Sequence, residues 1–207
     1  MAAIVGIDLG TTTTVAARFN EAGMPEVVTN WKGQAFVHSA FWFSKDNAYE
    51  PADIGDSARG LVGIEEGAFS QYKRDMGTDV RYEAHGRQYT PQKLTELMLE
   101  RQLKHLKQEH HEVGSLAITV PANFLNKARQ QTIQAAVDAG FPLPIRVIDE
   151  PTAAALFYAD SEIIPLNGYY LVYDFGGGTL DVTVLEAKGK DIKVKYSLGV
   201  AQLGGKD

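Results

Sequence analysis

Apolar and polar positions change rhythm several times along this chain, and each rhythm predicts a different element. Ala3–Asp8 and Val15–Phe19 are short runs of strand-forming residues, separated by the Gly/Thr stretch Leu9–Thr14. The pair reads as a β-hairpin. A turn at Asn20–Gly23 and a third run at Pro25–Thr29 extend it to an antiparallel meander. From Gln34 to Tyr89 the texture changes to scattered aromatics, short runs and turn residues. Within it His38–Phe43 reads as a strand, Ala52–Val62 as a short helix, and Arg81–His85 with Arg87–Tyr89 as a small hairpin about Gly86.

Beyond Tyr89 the period lengthens. Thr90-Pro91 supplies an N-cap and a favoured first helical residue. Leu94, Leu97, Met98, Leu103 and Leu106 then recur near a period of about 3.6, and Gly114 is expected to end that helix. Leu116–Val120 reads as a strand stopped by Pro121. Asn126–Ala139 reads as a helix with Ile133, Ala136 and Val137 facing inward and Gly140 at its C-terminal end. Ile145–Ile148 reads as a strand, and Glu150–Leu156 opens a third helix with Pro151 in its first turn. Alternating strands and helices argue for an α/β layer. Asn167-Gly168 marks a boundary. After it Tyr169–Asp174, Thr179–Glu186 and Ile192–Leu198 read as strands, joined through Gly176-Gly177-Gly178 and Gly189-Lys190-Asp191.

Composition narrows the chemistry. In 207 residues, 44% are hydrophobic and 22% charged, ordinary for a soluble globular chain. Cysteine is absent, which excludes disulfides, zinc-thiolate sites and a thiol nucleophile and fits a reducing compartment. A net charge of −6 disfavours general nucleic-acid binding. The opening residues lack a basic stretch and meet Asp8 early, so no signal peptide is expected. No apolar run approaches the roughly 18–20 residues of a membrane span. Common nucleotide and metal signatures fail: Gly205-Lys206 is followed by Asp207 where a P-loop needs Ser or Thr, and His111-Glu112 continues Val113-Gly114-Ser115 without a second His. His105, His110 and His111 are expected on a solvated helix end.

One internal repeat stands out. Ile7-Asp8-Leu9-Gly10-Thr11-Thr12 and Tyr173-Asp174-Phe175-Gly176-Gly177-Gly178-Thr179 share one plan: strand, Asp, apolar residue, Gly, then a Gly/Thr turn. Either hairpin alone reads as a plain turn with an acidic cap. As a pair they point to phosphate. Glycine lets backbone N–H groups approach an anion closely, threonine hydroxyls add donors, and a carboxylate before each turn suits a hydrated Mg²⁺. Glu150, at a helix start just past a strand, reads equally as an acid favoured by the helix N-terminus or as a group orienting water. Lys73, in Tyr72-Lys73-Arg74-Asp75-Met76-Gly77, reads by itself as a solvated surface charge.

Several segments together carry a family likeness. Gly6–Thr12, Val120-Pro121-Ala122, Asp149–Ala155, Asp174–Asp181 and Leu203-Gly204-Gly205-Lys206-Asp207 resemble, in order, the motifs of the seventy-kilodalton heat-shock (DnaK-type) chaperones. These are members of the actin-like ATPase superfamily. The resemblance implies an α/β, ribonuclease-H-like fold, a mixed sheet flanked by helices with an inserted α+β subdomain. By it, residues 1–34 and 90–166 form a first-lobe core, 35–89 the insertion, and 167–207 the opening strands of a truncated second lobe. It implies ATP/ADP with Mg²⁺ and a monovalent cation such as K⁺. Gly10, Thr11, Thr12 and Thr13 would line one phosphate loop, and Gly176, Gly177, Gly178 and Thr179 the other, with Gly204 and Gly205 completing the nucleotide site. Asp8 and Asp174 would hold Mg²⁺ through water, and Glu150 and Asp181 would help place the metal and monovalent ion. Lys73 would position the attacking water, and Pro121 and Arg129 match positions tied to communication between domains. Departures also occur: Thr13-Thr14 for Asn-Ser, Asn123 for Tyr, Asp149 for Asn and Leu180 for Phe.

The family pattern implies a cytoplasmic fragment whose adenine pocket, linker and β-rich peptide-binding domain lie outside these residues, so ATP binding should be poor and turnover nearly nil. In the parent the expected partners are unfolded peptides, a J-domain cochaperone and a nucleotide-exchange factor, with no nucleic acid or membrane. Unpaired last strands would leave an open edge for self-association. Rival readings are an actin-like filament ATPase, a sugar or carboxylate kinase, and a nucleotide-sensing protein without turnover.

Overall fold

Strand β1 (Ala3–Leu9) buries Val5, Ile7 and Leu9 on one face, the alternation of a half-buried strand. The computed structural model describes residues 3–161, 167–177, 179–189 and 191–201. They fall into two compact units, Met1–Ile118 with Leu125–Arg146, and Thr119–Phe124 with Val147–Asp207.

In the first unit β1 pairs antiparallel with β2 (Thr13–Phe19) and β2 with β3 (Pro25–Val28), the expected meander. A two-residue strand, β4 (Val37–His38), also lies on β2. On its other side β1 pairs parallel with β10 (Val113–Val120), and β11 (Ile145–Asp149) lies beyond it. The sheet is therefore mixed, with order β11-β10-β1-β2-β3. Helix α2 (Pro91–Gln108) starts as its caps predict: Thr90 Oγ1 accepts the Lys93 N–H at 3.0 Å, with Pro91 in the first turn. It packs against α3 (Asn126–Asp138).

Several expectations need correction. Helix α2 ends at Gln108, where His110 takes the left-handed conformation at φ 59, and Gly114 instead lies within β10. His105 is buried, with Nε2 2.7 Å from the Thr29 carbonyl oxygen; its place seven residues after Met98 puts it on the apolar face. In α3 the buried face is Ala128, Thr132, Ala135 and Ala136, while Val137 is exposed and Ile133 only half-buried. The small side chains allow a close helix–helix approach. The helix expected over Ala52–Val62 is split by Gly55 at φ 109 into strand β6 (Asp53–Ile54) and α1 (Asp56–Leu61).

Strand β6 belongs to a small sheet of order β6-β5-β7, with β5 (Ala40–Trp42) central and β7 (Ala68–Ser70) its other neighbour. β8 (Tyr82–Ala84) and β9 (Arg87–Tyr89) form the predicted hairpin. An aromatic cluster ties these pieces together. Phe43 stacks on Tyr89 at 4.3 Å between ring centroids, and Phe41 meets Tyr72 at 5.3 Å.

In the second unit β12 (Asn167–Phe175), β13 (Thr179–Lys188) and β14 (Asp191–Ala201) form an antiparallel sheet of that order. Helix α4 (Glu150–Asp160) packs on it through Ala155 and Ala159. Asp181, Thr183, Leu185 and Ala187 are the buried positions of β13. Tyr169, Leu171, Tyr173, Phe175, Tyr196, Leu198 and Val200 are exposed.

Candidate functional site

The first turn begins where buried Leu9 ends β1. The Gly10 N–H donates to the Thr13 carbonyl at 2.9 Å, closing the chain on itself where β2 starts. A Cβ on Gly10 would collide with that carbonyl oxygen, so the turn demands glycine for space and not for a positive φ. Thr11, Thr12 and Thr13 are half-buried, and Asp8 is exposed at the strand end. The Thr12 Oγ1 is buried without a hydrogen-bond partner among the described residues, a hydroxyl the fold itself does not use.

The turn is held from outside by residues the sequence did not single out. The Ser39 hydroxyl donates to the Gly10 carbonyl at 2.8 Å and the Ser39 N–H to the Thr12 carbonyl at 2.8 Å. His38 Nδ1 lies 3.4 Å from the same Thr12 oxygen. No local signal marks Ser39, because its partner Gly10 is 29 positions away.

Lys73 is not the solvated charge its isolation implied: it is 2% exposed. It sits in a 3₁₀ turn, Tyr72–Asp75, entered through Gln71 at φ 59. Gly77, at φ 87, follows, with Ala128 of α3 close enough that a Cβ would crowd it, and its N–H donates to Gln131 Oε1 at 2.7 Å. Burial pushes the adjacent Tyr72 phenol up, an effect that Ser39 partly offsets. A lysine enclosed this way is costly unless its charge is used.

The second turn, in the other unit, repeats the first. The Gly176 N–H donates to the Thr179 carbonyl at 3.0 Å. Register repeats as well: Asp8 lies opposite Val15 and Asp174 opposite Asp181, seven positions on in each case. Here space is looser, since a Cβ on Gly176 would meet the Thr179 carbonyl oxygen at an ordinary 3.6 Å. Gly178, Gly204 and Gly205 lie outside the described residues.

The pairing of Asp174 with Asp181 sets two carboxylates directly opposite one another, on the same sheet face. Like charges so placed destabilise a sheet unless a cation or donors gather there. Asn123 Nδ2 is such a donor, giving its hydrogen to Asp181 Oδ1 at 3.1 Å. Gly199, opposite Asp181, gives this contact room, because a Cβ there would strike both side chains. Asn123, a departure from the family's tyrosine, thus touches a residue of the expected metal set. Glu150 is the first residue of α4, half-buried, with Pro151 after it. Pro121, also in this unit, accepts the Phe124 N–H at 3.0 Å in a turn, whereas Arg129 lies on α3 of the first unit.

Among the described residues no cluster of three or more His, Asp or Glu is set to hold a metal. Paired carboxylates are nevertheless the donor set that suits Mg²⁺, which keeps several waters and completes its shell with substrate phosphates. Oxygen ligands beside glycine turns fit a magnesium polyphosphate in kind. Among the described residues no helix is long and apolar enough to cross a membrane.

Known proteins resemble this chain. The family described as Hsp70 protein matches residues 70–207. The chain is 39% identical over 210 residues to the chaperone protein DnaK of Thermosipho africanus, covering 99% of this chain and 34% of that protein. It is 37% identical over 210 residues to the DnaK of Thermotoga neapolitana, with the same coverage of 99% and 34%. The chain therefore spans about a third of the length of these relatives.

Proposed function

The chain belongs to the Hsp70 family, and from that membership we propose that it forms part of a nucleotide-binding domain that grips the phosphates of ATP with Mg²⁺. The observation that carries this reading is the duplicated bend, with Gly10 bonded to Thr13 at 2.9 Å and Gly176 to Thr179 at 3.0 Å, each one residue past the strand end that carries an aspartate. Gly10, Thr11, Thr12 and Thr13 offer donors to phosphate, as do Gly176, Gly177, Gly178 and Thr179, with Gly204 and Gly205 contributing to nucleotide binding. Asp8 and Asp174 hold the hydrated metal, while Asp181 and Glu150 place it and a K⁺ ion. Bound there, Mg²⁺ neutralises charge on the phosphates. Lys73 orients the attacking water. In the longer protein that water's oxygen bonds to the γ-phosphorus as the bond to the β–γ bridging oxygen breaks, giving ADP and phosphate. Positioning and electrostatics do most of this work.

The architecture that goes with the reading is a ribonuclease-H-like core at 1–34 and 90–166, an inserted subdomain at 35–89 and the opening strands of a second lobe at 167–207. The longer protein works in the cytoplasm, binds unfolded peptides under nucleotide control, and meets a J-domain cochaperone and an exchange factor. Pro121 and Arg129 transmit the nucleotide state. Membership of the Hsp70 family does not favour the filament or kinase alternatives.

Titration calorimetry with inorganic tripolyphosphate tests the grip without calling on an adenine pocket. Binding by the wild-type chain should require Mg²⁺ and vanish with a chelator. Asp8→Asn and Asp174→Asn should each weaken it about tenfold, the loss of one charge-assisted contact. Binding that is indifferent to both substitutions and to the metal would overturn the assignment.

A further inference from the structure

We propose that Ser39 is a positioning residue that aims the N–H groups of the first bend at the bound phosphate chain, a role that rests on the phosphate reading of that bend. In a trans peptide the C=O and the following N–H point in opposite directions. Ser39 holds two carbonyls of the bend at once: its hydroxyl takes Gly10 O and its backbone N–H takes Thr12 O, each at 2.8 Å. The N–H groups sharing those peptide planes belong to Thr11 and Thr13, so both are turned away from Ser39. Successive N–H groups directed to one side make an anion-binding nest.

The tether is itself fixed. Ser39 is 1% exposed and sits between β4 and β5, so it cannot swing away. Its single hydroxyl proton is committed to Gly10, so the Thr14 hydroxyl, 3.0 Å away and fully buried, donates to Ser39 Oγ. Ser39 also acts on the Tyr72 phenol, next in chain to Lys73, although the Tyr72 hydroxyl makes no hydrogen bond of full geometry.

The two tethers differ in kind, and this makes the proposal testable. Removing the hydroxyl frees Gly10 O and hence the Thr11 plane, whereas the backbone tether to Thr12 O survives any side-chain change. The experiment is an amide NMR titration of the labelled chain with magnesium tripolyphosphate. In the wild type the Thr11 and Thr13 amides should both shift. Ser39→Ala should bind about tenfold more weakly, the size of one lost buried hydrogen bond, with the Thr11 response lost and the Thr13 response kept. Ser39→Thr should restore both. Thr14→Val, which removes a buried hydrogen bond but neither tether, should bind within about twofold of wild type, separating positioning from general loosening. Should Ser39→Ala not fold, Ser39→Cys, with a much weaker donor, is read the same way. Wild-type amides that ignore tripolyphosphate would sink the phosphate reading and this role with it. Wild-type amides that respond, with Ser39→Ala titrating identically, would overturn the positioning role alone.

Discussion

Gly10→Ala is expected to lower the affinity for magnesium tripolyphosphate by about a hundredfold, roughly 2.7 kcal/mol. The added Cβ would overlap the Thr13 carbonyl oxygen, the acceptor that closes the bend. Backbone cannot yield as a flexible side-chain tip can, so the bend must open and its N–H groups lose their common direction. Gly176→Ala provides the contrast. Its Cβ finds the Thr179 carbonyl at 3.6 Å, an ordinary contact, so the loss should stay within about threefold. Calorimetry on the two variants checks both numbers. Equal losses would show that the steric difference between the bends has no bearing on binding.

The second large effect concerns Lys73. In a chain of the relatives' full length, Lys73→Ala should slow single-turnover ATP hydrolysis about 100- to 1,000-fold, the size of losing one preorganised electrostatic group, while nucleotide affinity changes by only about threefold. A group that acts on the attacking water and hardly on the ground-state phosphates separates rate from binding in this way. Lys73→Arg should not rescue, because the site encloses the side chain to 2% exposure and the bulkier, planar guanidinium presents its charge differently. Hydrolysis by Lys73→Ala at the wild-type rate would remove Lys73 from the reaction.

Local chemistry was legible where it dominates. The Gly/Thr bend, the Thr90-Pro91 cap and the Arg87–Tyr89 hairpin arm each depend on neighbouring residues, and each forms as read. Legibility failed where distant packing decides. Residue type argued for a solvated His105, yet its helical position buries it, and the Thr29 carbonyl, 76 positions away, supplies the partner that makes burial tolerable. Val137 is apolar but α3 turns its alanines inward, since close contact with α2 outweighs the larger side chain's burial. At Ala52–Val62 a helical pattern hid the backbone break at Gly55.

The candidate site divides along the same line. Asp8, Gly10, Asp174 and Gly176 announce themselves by a repeated spacing. Ser39 and Asn123 do not, because a hydroxyl that orients a peptide plane and an amide that steadies a carboxylate carry no periodicity of their own. Lys73 lies between these cases: resemblance named it, and only its enclosure in the Tyr72–Asp75 turn gives a physical reason to single it out.

Each of the two bends is proposed to take hold of metal-bound phosphate. Replacing Mg²⁺ with paramagnetic Mn²⁺ in the tripolyphosphate complex tests this most directly, since only amides near the ion broaden. Signals of Thr11–Thr13 and of Gly176, Gly177 and Thr179 are expected to broaden. Broadening confined to one bend would contradict this.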